Sequence, residues 1–308
     1  MTIKSLKEMI QDKSSPPEEI IGGGILLQKS LLLITGESKA KKSMLAYNIA
    51  IALASGNSFV FFEIQRQSRV LVLTAEGGYY PNKDRIVKMS TSLEADENCM
   101  LNVCFDTRIK LEEESDYDEL KGLINSYKPD VLIIDPLVKF HHMDENSARD
   151  MNLILEKIRN LIEDHNISVI LIHHLGKNPM NGARGSSAIL GEYDSCITIH
   201  KGDKQQRHRC EFDLRHSISP HTNYLRFNEQ TNWFEYDEVP VIKVLRLYGS
   251  MVKKDLVEFL LTDNYYKKNT SAYRAIDVEL KKGTIVLNEN SFYSLKPIDL
   301  SLEFSKLQ

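Results

Sequence analysis

Short runs of consecutive apolar residues alternate with amphipathic stretches along the first two thirds of the chain. Residues 30–35, 69–75 (RVLVLTA), 131–134, 169–173 and 196–200 are apolar runs of strand length. Between them, residues 42–55 place Leu45, Ile49 and Leu53 on one face at helical spacing. Residues 117–127 and 148–165 read as helices in the same way. Strands apolar on both sides, separated by helices, predict a mostly parallel sheet covered on both faces. From 211 to 236 the pattern turns alternating and polar-aromatic (FDLRHS, NYLRFN, NWFEY), which predicts antiparallel strands at the sheet edge. Residues 1–30 read as a lead-in, broken at Ser14-Ser15-Pro16-Pro17 and at Gly22-Gly23-Gly24.

Pro240 marks a change of pattern. Residues 241–248, 253–261 and 271–281 predict three short helices, and 284–287 with 291–295 predict a hairpin around Asn288-Glu289-Asn290. Three helices followed by a two-stranded wing is a winged-helix pattern. The reading is therefore an α/β unit over 1–238 and a winged-helix-like unit over 239–308.

Length agrees: 308 residues hold one large α/β domain and a small one. The net charge of −4 excludes a uniformly basic nucleic-acid binder, yet it divides unevenly, +3 over 239–308 and −7 over the rest. Cys99, Cys104, Cys196 and Cys210 lack metal-ligand spacing and read as reduced thiols. The N-terminal stretch lacks the apolar core of a signal peptide, and no apolar run reaches the ~20 residues of a membrane span. These features predict a cytoplasmic protein with no membrane partner.

The central chemical signal is Gly36-Glu37-Ser38-Lys39-Ala40-Lys41-Lys42-Ser43, followed by Met44. It joins a strand to a helix. Backbone N–H groups of a tight loop and the positive end of a helix suit phosphate. Lys42 can reach the β- and γ-phosphates of ATP, and the Ser43 hydroxyl can ligate Mg²⁺. The spacing is that of GxxxxGK[ST] except that Lys41 takes the place of the second glycine. A lysine there is strained if the position needs positive φ.

Other strand ends supply partners. Asp135 ends the 131–134 run and is placed to hold Mg²⁺. Glu76, before Gly77-Gly78, ends a neighbouring strand, where a carboxylate can orient or deprotonate the attacking water. His173-His174 follow the next apolar run and can touch the γ-phosphate; no further ligands sit at zinc spacing. Arg184, flanked by Gly182 and Gly185 and followed by Ser186 and Ser187, can contact phosphate of nucleotide or nucleic acid.

In this order the motifs resemble the RecA/DnaB-like superfamily, and within it the plasmid RepA-type hexameric helicase ATPases (AAA_25). The resemblance runs from Pro16 to Phe234 and is carried by PPEEIIG, GESKAKKS, AEGG, IIDPL with Phe140 and Asp144-Glu145-Asn146, LIHHLGK, and ARGSSAI with Asp194. It implies a RecA-like core that forms rings with ATP between subunits. It assigns nucleotide grip to Lys42 and Ser43, Mg²⁺ to Asp135, the catalytic carboxylate to Glu76 and the γ-phosphate sensor to His174. It also implies a basic finger reaching a neighbouring subunit, with Arg215 as first candidate and Arg209 as second. The chain departs here from the family's Lys-x-Arg.

Beyond the resemblance, Lys267, Lys268 and Arg274 cluster at the start of the third C-terminal helix, where they can contact duplex DNA; Asp277 and Glu279 weaken that face. The sequence thus points to an ATP- and Mg²⁺-dependent motor acting on nucleic acid, with single-stranded DNA in the core, duplex DNA at the winged helix, and a homo-oligomer, by resemblance a hexamer. A DNA-binding regulator with a slow ATP switch is the competing reading, favoured by Lys41. A recombination or defence ATPase of the same fold is a third.

Overall fold

The computed structural model describes residues 3–96, 99–105, 108–174, 187–203, 206–218 and 222–296. The chain divides into two compact units, Met1–Tyr236 and Asp237–Gln308. The larger unit begins α1 (Leu6–Gln11), β1 (Glu19–Ile21), β2 (Leu26–Leu27), β3 (Leu31–Gly36), α2 (Lys42–Ser55), β4 (Val70–Thr74), α3 (Tyr79–Ser92) and β5 (Leu101–Cys104). It continues α4 (Glu114–Tyr127), β6 (Val131–Asp135), a 3-10 turn (Leu137–Lys139), α5 (Ala148–His165), β7 (Ser168–His174), α6 (Ser187–Glu192), β8 (Ser195–Ile199), β9 (Arg207–Leu214), β10 (Asn223–Asn228) and β11 (Trp233–Asp237).

One nine-stranded sheet runs β11-β10-β9-β8-β3-β7-β6-β4-β5. The strands from β8 to β5 are parallel. β9 pairs antiparallel with β8, and β10 antiparallel with β9. The apolar strands divide by pleat. Leu32 and Ile34 of β3 join a core with α2, whereas Leu31 and Leu33 join a second core with α4 and α5. Burial on both faces explains why these strands read as unbroken apolar runs.

α2 is buried on nearly every side, which its alanines permit. Part of its core comes from Ile20, Ile21, Ile25 and Leu26 around the β1–β2 hairpin. The segment read as a lead-in is therefore structural from residue 20 onward. Its glycines make a turn: Gly23 and Gly24 have φ of 69° and 74°, and both N–H groups donate to the Glu19 carboxylate at 3.1 and 3.0 Å. By contrast α1 buries no residue and is fixed locally by a Ser5/Glu8 capping box. Two core-flanking elements escape the sequence pattern. α3 buries only Asn82 and Met89, so its periodicity is faint. β5 is a half-buried edge strand of mixed polarity.

The smaller unit comprises α7 (Pro240–Tyr248), β12 (Met251–Val252), α8 (Lys253–Thr262), α9 (Asn269–Lys282), β13 (Ile285–Leu287) and β14 (Phe292–Leu295). Its strands form an antiparallel sheet in the order β12-β14-β13. Val241, Val244, Leu256, Leu260, Ile276, Ile285 and Tyr293 make a core of its own.

Candidate phosphate site

β3 delivers Gly36 to the carboxyl edge of the sheet, where the loop to α2 begins. A Cβ on Gly36 would lie 2.1 Å from the Ile199 carbonyl oxygen, so the close pairing of β3 with β8 requires glycine here. The Lys42 side chain folds back into the loop. Its Nζ donates to the carbonyl oxygens of Gly36 and Glu37, both at 2.9 Å. Ala40 is buried, Met44 packs on the α2 core, and Ser38 and Lys39 face solvent. Lys41 has φ 65° and ψ 30°, the left-handed conformation. An L-residue there costs about 1 kcal/mol relative to glycine, so the departure from the glycine pattern is real strain at a defined position.

α2 then presents Ser43 toward β6. The Ser43 hydroxyl donates to Asp135 Oδ1 at 3.1 Å, joining residues 92 apart in sequence. Asp135 is 2 % exposed and Lys42 4 % exposed. Burial raises the Asp135 pKa to about 6; Ser43, Lys42 and Arg85 pull it back and Glu76 pushes it further up. Burial likewise lowers Lys42 to about 8, opposed by Asp135, Glu76 and Glu37. A hydroxyl and a carboxylate oxygen held side by side are hard donors suited to Mg²⁺, and the loop around Lys42 suits phosphate oxygens. These residues fit a Mg²⁺–nucleotide.

Glu76 lies two residues beyond β4, whose last residue, Thr74, pairs in register with Asp135. Gly77 and Gly78 follow at φ 83° and 67°. The Glu76 side chain is exposed, while its carbonyl oxygen accepts from Asn82 Nδ2 at 2.6 Å. Arg85 Nη1 donates to Asn82 Oδ1 at 3.1 Å. Asn82 and Arg85 are site residues that the sequence reading missed; their only signal was an i, i+3 polar pair just after AEGG. The hydroxyl of Tyr47, also missed, donates to Thr74 at 3.1 Å, and burial raises its pKa to about 12.

β7 lies between β3 and β6, and His174 at its end pairs in register with Gly36. The strand order therefore brings His174 between the loop and Asp135. His174 is half-buried; burial, then the Lys42 charge, lowers its pKa. His173, its buried neighbour, has Nδ1 3.6 Å from Glu145 Oε1.

Other candidates fall elsewhere. Arg215 follows β9 at the end where Leu214 pairs with Ser195, the sheet edge opposite the loop. Its guanidinium donates to the Gly191 carbonyl and lies over the Tyr193 ring at 5.7 Å. Arg209 lies toward the loop end, with Nη2 3.2 Å from Glu211 Oε1 and 3.1 Å from His200 Nε2. Asp194 braces the base of β3. It accepts from the Leu31 N–H at 2.8 Å and from Arg159 Nη1 at 2.9 Å. Arg184 lies outside the described residues.

In the smaller unit, Lys267, Lys268 and Arg274 are exposed at the start of α9, beside Thr270 and Ser271. The helix starts at Asn269, with Lys268 in the cap position and no side-chain cap. The two nearby acids are engaged internally. Asp277 pairs with Lys253 at 2.8 Å, and buried Glu279 accepts from Lys282 and Thr284, both at 2.7 Å.

Comparison with known proteins bears on the larger unit. Residues 4–180 match the model of the family AAA_25, described as an AAA domain. The crystal structure of the RadB recombinase superposes with a TM-score of 0.52 at 18 % identity, over 69 % of this chain and 93 % of that one. At that identity the likeness is one of fold, a RecA-like α/β core. No curated protein matches the sequence. Among the described residues, no helix is long and apolar enough to cross a membrane.

Proposed function

The chain belongs to the AAA-domain family AAA_25, and from that starting point we propose that it is a Mg²⁺-dependent ATPase whose hydrolysis drives work on nucleic acid. The observation that carries the reading is the convergence of Lys42, Ser43 and Asp135, with Ser43 and Asp135 joined at 3.1 Å. Lys42 exchanges its loop carbonyls for β- and γ-phosphate oxygens. Ser43 and Asp135 hold Mg²⁺. When bound, the ion neutralises charge on the phosphate oxygens. Glu76, exposed at the strand tip, aligns water for in-line attack and takes its proton. His174, adjacent to the loop, makes a hydrogen bond at the γ-phosphate and loses it on hydrolysis.

The resemblance to plasmid RepA-type helicases supports a ring, most simply a hexamer, with single-stranded DNA at its centre and a basic finger acting across subunits. Arg209 is the better-placed finger for a loop-end contact, and Arg215 requires a neighbour that approaches the opposite edge. The smaller unit is read as a winged helix that contacts duplex DNA through Lys267, Lys268 and Arg274. The internal pairing of Asp277 and Glu279 supports this face as net positive.

One observation favours the regulator reading. The strained Lys41 suits a slow nucleotide switch better than a fast motor. Steady-state ATP hydrolysis with and without single-stranded DNA, using Lys42→Ala as the blank, separates the two. Strong stimulation absent from the blank supports the motor. A flat rate near the blank sinks it, and ATP-dependent duplex binding then becomes the test of the switch.

A further inference from the structure

Lys41 is a lysine in a backbone conformation that glycine adopts freely, at φ 65° and ψ 30°. Such a residue persists where surrounding contacts over-determine it. Its own side chain supplies the contact. Lys41 Nζ lies 3.9 Å from the centroid of the Phe227 ring. That ring is a fixed anchor. Phe227 is buried in β10 and braced edge-to-face by Phe234 at 5.1 Å. The β10–β11 turn is tied to α2 through buried Asn48, whose Nδ2 donates to the Asn232 carbonyl at 3.1 Å and whose Oδ1 accepts from the Phe234 N–H at 2.9 Å. Trp233 Nε1 donates to the Met89 carbonyl of α3 at 2.9 Å. Burial lowers the Lys41 pKa; Glu229, on the same turn, opposes that shift and Arg85 adds to it.

We propose that Lys41 and Phe227 form a clamp that holds the phosphate loop in its nucleotide-receiving shape, doing by cation–π contact what glycine does by conformational freedom. Lys41 is then a positioning residue, and the β10–β11 hairpin becomes part of the nucleotide site although it touches no phosphate. The inference rests on the phosphate-site reading and adds to it a chain-specific dependence on a distant strand.

The test is an epistasis measurement on the full chain. A fluorescent, non-hydrolysable ATP analogue with Mg²⁺ is titrated into wild type, Phe227→Leu, Phe227→Tyr, Lys41→Gly, and Phe227→Leu combined with Lys41→Gly, with Lys41→Met, alone and with Phe227→Leu, and Lys42→Ala as controls. Phe227→Leu is expected to weaken binding about fivefold, equivalent to ~1 kcal/mol. Phe227→Tyr keeps the ring and retains affinity. In the Lys41→Gly background, Phe227→Leu changes affinity less than about twofold, because glycine needs no clamp. That background also controls for general damage to the edge core. An equal loss in both backgrounds, or no loss in the wild-type background, overturns the clamp while leaving the phosphate site standing. Loss of tenfold or more from Lys41→Met, whether or not Phe227 is present, makes Lys41 a direct phosphate ligand and also overturns the clamp. A wild type that binds no more analogue than Lys42→Ala overturns both the clamp and the phosphate site.

Discussion

The two candidate sites place their charged groups in opposite settings. At the sheet edge of the larger unit, Lys42 and Asp135 are buried. At the start of α9 in the smaller unit, Lys267, Lys268 and Arg274 are in water. Burial makes each charge at the first site costly alone and strong when paired, so a single missing partner is felt sharply. In water the same charges act collectively, weakly and with salt dependence. The first arrangement suits a chemical step on one ligand, and the second suits a long polyanion held at many points.

Four expected outcomes sharpen that contrast. Glu76→Gln should lower ATP turnover about a thousandfold while leaving analogue affinity within about twofold. A turnover near wild type in a steady-state assay removes Glu76 from the catalytic role. Lys42→Ala should weaken Mg²⁺–analogue binding by about a hundredfold, since it leaves the phosphates without their buried cation. Binding within a few-fold of wild type in a fluorescence titration would mean that the loop does not receive the phosphates.

The third outcome is a pH effect. Asp135 holds its proton up to about pH 6 in the folded chain. Mg²⁺–analogue affinity should therefore fall about tenfold between pH 7 and 5, as a single proton competes with the cation. In Asp135→Asn that acid limb should vanish. The sign for stability is the reverse of a salt-bridged carboxylate. The folded state binds the extra proton, so the apo protein loses stability as pH rises from the unfolded value, 3.8, through about 6. Melting at pH 5 and 7.5 without nucleotide checks it, and Asp135→Asn should remove the difference due to this group.

The smallest effect belongs to the exposed site. Arg274→Ala should weaken duplex DNA binding about three- to fivefold at fixed salt and reduce the salt slope by about one. An unchanged slope in a salt titration would return α9 to the role of a protein-docking face. Together these outcomes test whether burial is the variable that separates the two regions. If Arg274→Ala matched Lys42→Ala in severity, the contrast would fail.

Much of the larger unit was legible because a buried parallel strand has little freedom in composition. VLIID and SVILIHH announce themselves, and the carboxylate or imidazole closing each run marks the strand tip. α3 was hidden because it buries two residues on one side, one of them Asn82. With it, Asn82 and Arg85 were hidden, although both sit beside Glu76. The hairpin before β3 was hidden for another reason. Three glycines mark a break in sequence, and only the carboxylate of Glu19, folded back onto the N–H groups of Gly23 and Gly24, closes them into a turn.

By itself the sequence determined the residue types at the phosphate loop, their order, and the alternation of strand and helix that brings several strand tips to one edge. It also determined that the position before Lys42 is not glycine. Tertiary structure alone decided that this position is left-handed, that Phe227 receives the lysine, and that β7 lies between β3 and β6 so that His174 comes next to the loop. The reason is range. Periodicity and turn chemistry act over a few residues, whereas strand order, burial and a cation over a ring nearly two hundred positions away arise only when the sheet closes and water leaves.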